Sequence, residues 1–212
     1  MSNRTFVSHG ADAARSIQNQ GAAAGPVNFR RRLLKLGEEL GEATEVLLAM
    51  SGTNNYKNLG STELREELAD VYIVGADILF RYAATLPADI REELEATVLD
   101  ATQGIAVRMS DRLKGTRLLE LEEKLSGIYV NVGQSQALLR KLAVSPADAA
   151  NQRRFRRTLV KVLQGALDAM YHILPGEEAL SAPELEARIL GEIDRKVSKW
   201  ARVRQHATVA IA

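Results

Sequence analysis

Apolar residues recur every three to four positions almost without interruption beyond Pro26. This spacing places them on one face of an α-helix and is not that of a half-buried strand. Pro26, Pro87, Pro146 and Pro183 each stand where such a helix could begin, because proline is tolerated in the first turn. The sequence therefore predicts an all-α fold, a bundle of about six long helices at residues 27–51, 61–84, 87–112, 117–142, 146–173 and 182–206.

Composition narrows the class of protein further. Aromatic residues make up 5% of the chain, so the core must consist of Leu, Val, Ile and Ala, which suits packed helices. With 0 Cys, disulfide scaffolds, thiol nucleophiles and Cys-based zinc sites are excluded. A net charge of +1 argues against a general binder of nucleic-acid polymers or membrane surfaces. Because no stretch approaches the ~20 apolar residues that span a bilayer, we expect a cytoplasmic protein without a membrane partner.

Two short acidic motifs carry the chemical information. Glu39 and Glu42 are three residues apart, as are Glu67 and Asp70, so each pair shares one helical face. At ~100° per residue, Glu39 and Glu67 fall inside the apolar arcs of their helices. Glu42 and Asp70 lie at the edges of those arcs. The wheel thus predicts that the two pairs converge beside the core.

Carboxylates at core positions need a cation or a proton, since burying like charges costs several kcal/mol each. A set of ligands made only of oxygen, without His or Cys, selects Mg²⁺ or Mn²⁺ over zinc. The alternative is that these are ordinary surface charges of Glu-rich amphipathic helices. Two such pairs on the apolar sides of consecutive helices favour the metal site.

Glu38-Glu39-Leu40-Gly41-Glu42, followed after 24 residues by Glu67-Leu68-Ala69-Asp70, resembles the paired acidic motif of the MazG-like all-α nucleoside triphosphate pyrophosphohydrolases. The same superfamily includes dimeric dUTPases, dCTP pyrophosphatases and phosphoribosyl-ATP pyrophosphatases. The resemblance covers roughly residues 27–112. It implies a four-helix catalytic core, dependence on Mg²⁺ (with Mn²⁺ able to substitute) and cleavage of a (d)NTP between its α and β phosphates. The products would be a nucleoside monophosphate and pyrophosphate.

The resemblance also implies roles for individual residues. Glu39, Glu42, Glu67 and Asp70 would be the metal ligands. Glu38, together with Glu39, would be a catalytic carboxylate, holding a further metal or orienting the attacking water.

Substrate contacts are less sharply indicated. The loop between the two acidic helices offers Asn54, Tyr56 and Lys57 for a base, sugar or phosphate, and the end of the third helix offers Arg108 and Arg112 for phosphates. A polar interhelical loop and a solvated helix end are the alternatives.

Three further segments outside the motifs are interpreted structurally. We expect the basic run of Arg153, Arg154, Arg156 and Arg157 to be a solvated helix start. Trp200 is expected to be a packing residue, and residues 1–26 a loosely ordered N-terminal arm.

The chain has a further hundred residues that the resemblance does not cover. Gly41–Leu48 can be laid on Gly133–Arg140, which suggests a degenerate internal repeat; a simple six-helix bundle is the alternative. In this alignment Asn131, Gln134, Lys161 and Gln164 replace the four acidic ligands and cannot form a hard-cation cage. We therefore expect a catalytic half at 27–115 and a degenerate half at 116–212 that packs on it in cis.

Two points stay open from the sequence. The chain could be a homo-oligomer, since a pseudo-dimer can still pair through a second surface. A non-catalytic helical nucleotide-binding or scaffold protein that retains the acidic helices is the alternative function.

Overall fold

The computed structural model describes residues 28–53, 59–102, 118–173 and 181–209. All regular elements in these ranges are helices, which confirms the all-α prediction. They are α1 (Phe29–Met50), α2 (Ser61–Ala83), α3 (Ala88–Thr102), α4 (Leu118–Val144), α5 (Ala149–Tyr171) and α6 (Ala182–Val209). The expected arm at 1–26, the end of the third helix at 103–112 and the boundary near 115 lie outside the described residues. None of the helices in the described ranges is long and apolar enough to cross a bilayer.

Side chains at the helix starts explain where the helices begin. The Asn28 carboxamide oxygen accepts a hydrogen bond from the Arg31 backbone N–H at 3.1 Å, and this caps α1. Asp148 does the same for α5, accepting from the Asn151 N–H at 3.0 Å. Because Asp148 is the cap, α5 begins three residues later than the predicted start at Pro146.

Four of the helices close into a bundle. α1 packs on α2 and α4, and α5 packs on the same two helices from the opposite side. The helices α3 and α6 lie outside this four-helix bundle, and both pack against α2 and α5. Since α2 is covered from several directions, it is buried on nearly all sides from Leu68 to Leu79. Helices from both halves of the chain thus share one core.

Two glycines allow close approach between helices in this core. A Cβ on Gly75 of α2 would lie 3.0 Å from Leu163 Cδ2 of α5. A Cβ on Gly165 of α5 would lie only 2.7 Å from Ile128 Cγ1 of α4. Such separations are below ordinary van der Waals contact, so the absence of a side chain at both positions lets α5 lie against its neighbours.

The buried stripes of α1 and α4 are in register under the proposed internal alignment. At a constant separation of 92 residues, five buried positions of α1 correspond to five buried positions of α4. These are Leu33, Leu36, Leu40, Ala43 and Val46 in α1, and Leu125, Ile128, Val132, Ser135 and Leu138 in α4. The repeat itself stays a prediction.

The expectations for the outlying residues had mixed outcomes. Trp200 is partly buried and packs on the core, as predicted. The basic run is exposed at Arg153, Arg154 and Arg157, but Arg156 is buried, so that prediction was wrong for one residue. Arg156 lies next to Phe155 on the side of α5 that packs into the bundle, and the helical period turns it inward.

Candidate metal centre

Three carboxylates from α1 and α2 come together in the interior. Glu39 is 3% exposed and Asp70 is 5% exposed, while Glu67 is partly buried. One carboxylate oxygen from each of the three lies within 4.8 Å of the others. The two motifs thus converge, but the helical wheel was wrong about α2: Asp70, placed at the edge of the apolar arc, is buried, and Glu67, placed inside the arc, is only partly buried.

The local sequence explains this placement. Glu39 stands between Leu36 and Leu40 in the buried stripe of α1. Asp70 stands between Ala69 and Val71, all three buried because α2 is covered on several sides. Because Glu67 and Asp70 are three positions apart, both side chains reach the same face of α2.

Burial shifts the proton equilibria of all three carboxyl groups. Removal from water raises the pKa of Glu39 and that of Asp70 above their ordinary values. It raises the pKa of Glu67 to about 7, and the nearby charges of Asp70 and Glu42 add to the effect. The carboxylates therefore repel one another in a site that is short of positive charge.

Two lysines supply part of the missing charge. Lys35 Nζ lies 2.8 Å from Glu39 Oε1, one turn away on α1. Lys196 of α6 is itself buried, and its ammonium donates a hydrogen bond to Asp70 Oδ2 at 2.6 Å. Burial lowers the pKa of Lys196, but the hydrogen bond and charge of Asp70, with Glu67 and Glu66, raise it overall, so the group stays protonated.

The two lysines compensate only part of the negative charge of the three carboxylates. Asp70 Oδ1 is buried and has no hydrogen-bond partner in the part of the chain that the structure describes. A buried carboxylate oxygen without a partner is costly, which makes it a candidate ligand atom. The available donors are all carboxylate oxygens, the set that Mg²⁺ and Mn²⁺ prefer. The residues present therefore fit a hard divalent cation.

A second buried carboxylate in α2 provides the contrast. Asp77 Oδ1 accepts a hydrogen bond from Arg81 Nε at 2.6 Å, and Asp77 Oδ2 accepts one from the Arg32 guanidinium. Both oxygens are satisfied by arginines, so this group has the contacts of a structural ion pair. Asp70, seven residues earlier on the same helix, does not.

The remaining predicted site residues are distributed as follows. Glu42 is exposed, but its carboxyl group is close enough to Glu67 to hydrogen-bond with it and raise its pKa. Glu38 is exposed on another side of α1, with Oε1 3.0 Å from Lys35 Nζ, and the structure does not bring it into the cluster. The proposed substrate contacts Asn54, Tyr56, Lys57, Arg108 and Arg112 lie outside the described residues.

Sequence reasoning missed Lys196. The signal was present, because Leu185, Ile189 and Ile193 form the buried stripe of α6 and Lys196 continues it at the next helical position. A lysine in an apolar stripe indicates a buried anion by the same argument that singled out Glu39.

No known protein family, curated protein or solved structure matches the chain. The likeness to the MazG-like motif rests on the residues quoted for it.

Proposed function

We propose that the chain is a metal-dependent nucleoside triphosphate pyrophosphohydrolase, which adds water across the α–β phosphoanhydride of a (d)NTP to give a (d)NMP and pyrophosphate. The observation that carries the proposal is the convergence of Glu39, Glu67 and Asp70 in one buried cluster. Its spacing along the chain is that of the acidic motif described above. The buried, unpartnered Asp70 Oδ1 supports a ligand role.

Glu39, Glu67 and Asp70 would hold Mg²⁺ or Mn²⁺, with Glu42 beside them. When bound, the cation neutralises phosphate charge, polarises phosphoryl oxygens and acidifies a coordinated water. Burial of Glu39 and Asp70 in the packed interior limits the motion of these two carboxylates.

The lysines have a separate task in this proposal. Lys35 and Lys196 hold one oxygen each of Glu39 and Asp70, which orients the carboxylates. Lys199, one turn beyond Lys196, is exposed, and its charge acts on Asp70. It is therefore placed to attract an anionic substrate to this face of the bundle.

The test is a panel of all eight (d)NTPs with Mg²⁺, assayed for pyrophosphate. We expect release with at least one nucleotide and loss of release in EDTA. Glu67→Gln should lower turnover by more than about 100-fold, because even partners of metal ligands contribute 10–100-fold. Glu92→Gln, an exposed carboxylate on α3, is the matched control and should retain full activity. Activity in Glu67→Gln equal to that of the parent would refute the assignment.

One observation favours a second candidate, a non-catalytic helical protein with a structural acidic cluster. Lys196 and Asp70 form a buried ion pair that already neutralises one of the carboxylates. Titration with Mn²⁺, followed by electron paramagnetic resonance, separates the two. The metalloenzyme requires saturable Mn²⁺ binding that Glu67→Gln weakens. If neither Mn²⁺ binding nor pyrophosphate release is found, the second candidate is correct.

A further inference from the structure

A cavity of about 850 Å³ lies away from the acidic cluster. It opens where α1 and α5 begin and where α2 and α4 end. None of the acidic-cluster residues lines it, and Leu34, its last lining residue on α1, precedes Glu39 by five positions, about 7.5 Å along the helix. Its volume is typical of a site for a small organic molecule.

The wall of the cavity is apolar and partly aromatic. Leu33, Leu86 and Leu142 line it together with Phe29 and Tyr82. The Phe29 and Tyr82 rings meet edge to face, with centroids 5.8 Å apart. Aromatic walls of this kind favour a flat apolar ligand, because such rings add edge and stacking contacts to simple burial.

The charged residues in the described part of the cavity lining are both arginines. Arg30 and Arg140 both line the cavity, and neither has an ion-pair partner among the residues that the structure describes. The part of the lining that the structure describes includes no Asp or Glu. The charged groups described at this cavity are thus positive, which favours an anionic ligand over a neutral one.

A buried arginine stands beside this wall. Arg156 is 8% exposed, and its Nη1 is buried without a hydrogen-bond partner among the described residues. It follows Gln152, which lines the cavity, by one helical turn on α5. Phe155, the residue before Arg156, packs on the cavity-lining Tyr82 with ring centroids 4.9 Å apart, and the charge of Arg156 opposes the rise that burial causes in the pKa of the Tyr82 hydroxyl. An arginine so buried normally has an anion as partner.

We propose that this cavity binds an aromatic organic anion, with its flat body against Phe29 and Tyr82 and its anionic group paired with Arg30 and Arg140, which line the cavity, and with Arg156 beside its wall. The site is distinct from the acidic cluster, whose carboxylates would repel such a ligand. The proposal does not depend on the pyrophosphohydrolase activity.

The test is isothermal titration calorimetry of the full chain in EDTA, which keeps the acidic cluster free of metal. The probes are 1-naphthoate and its neutral counterpart 1-naphthamide. We expect one naphthoate per chain, bound at least about 10-fold more tightly than the amide, since a charge-assisted hydrogen bond contributes that much. Arg156→Met should weaken naphthoate about 10-fold and leave the amide unchanged. Arg153→Met, exposed on the same helix, is the control and should bind as the parent does.

A second variant keeps the test decisive if Arg156→Met fails to fold, as judged by circular dichroism. Ala143→Trp places a bulky side chain at an exposed lining position and should block naphthoate without touching the core. Equal affinity for naphthoate and the amide would overturn the proposal, as would unchanged binding in folded Arg156→Met or in Ala143→Trp. Absence of saturable binding, the result expected if another part of the chain fills the cavity, would overturn it too.

Discussion

Without a divalent cation, the protein should become more stable as the pH falls from 8 to 6. The cause is Glu67, whose pKa rises from 4.5 in the unfolded chain to about 7 in the folded one. The folded state therefore binds more protons than the unfolded state over this interval, and its free energy of unfolding increases as the pH is lowered. The charged form of Glu67 is penalised above pH 7, and protonation removes that penalty.

The size of the effect follows from the same two pKa values. With a pKa of 4.5 for Glu67 in the unfolded chain and about 7 in the folded one, the free energy of unfolding increases by about 1.3 kcal/mol from pH 8 to pH 6. Because Glu67 is partly exposed, solvent screening reduces this to about 1 kcal/mol. For a chain of 212 residues, that corresponds to a rise in Tm of about 2–4 °C.

The measurement is urea unfolding at both pH values in EDTA, for the parent chain and for Glu67→Gln. The charged groups that face Glu67 include Glu39 and Glu42 of α1, Asp70 of α2 and Lys196 of α6, and they are present in both proteins. Subtracting the two pH dependences therefore isolates Glu67. Glu92→Gln should retain the slope of the parent. If the parent and Glu67→Gln depend on pH identically, or if the parent loses more stability on acidification, the account of the cluster is wrong.

Three further outcomes are expected. Glu42→Gln should abolish nucleotide turnover. Its free energy of unfolding in EDTA should stay level or rise slightly, because the substitution relieves repulsion at Glu67. Unchanged turnover would count against a ligand role for Glu42. Gly165→Ala should lower the free energy of unfolding by about 1–3 kcal/mol, because the new methyl group clashes with Ile128. Gly127→Ala, with open space around the new methyl group, should raise it by about 0.5–1 kcal/mol. Equal effects of the two variants in urea unfolding would contradict the packing described. Truncation to residues 1–115 removes α4, α5 and α6 and should give aggregates or forced dimers in size-exclusion chromatography. A soluble, active monomer would refute the dependence of the first half on the second.

The parts of the fold that could be predicted from the sequence are those specified by residues close together in the chain. The six helices begin and end within a few residues of their predicted bounds wherever the structure describes both, because caps and apolar spacing are encoded within one or two turns. Glu39, Glu67 and Asp70 could be singled out for the same reason. A carboxylate in an apolar stripe is visible on a helical wheel.

What the sequence did not yield depends on packing between distant segments. Lys196 meets Asp70 across 126 residues, and no local pattern specifies that α6 lies on α2. Arg156 was assigned to a solvated run on composition, but its burial is decided by the contacts of α5 with four other helices. The cavity is likewise formed by the ends of four helices that are far apart in the chain.

The central claim is tested most directly by the products of hydrolysis in ¹⁸O-labelled water. A nucleotide that proves to be a substrate in the presence of Mg²⁺ is incubated in this water, and the products are identified by mass spectrometry. The account predicts nucleoside monophosphate and pyrophosphate in equal amounts, with one ¹⁸O atom incorporated per turnover into one of the two products, and neither product in Glu67→Gln. Orthophosphate and nucleoside diphosphate as the first products would contradict it, because water would then have added at the β–γ linkage.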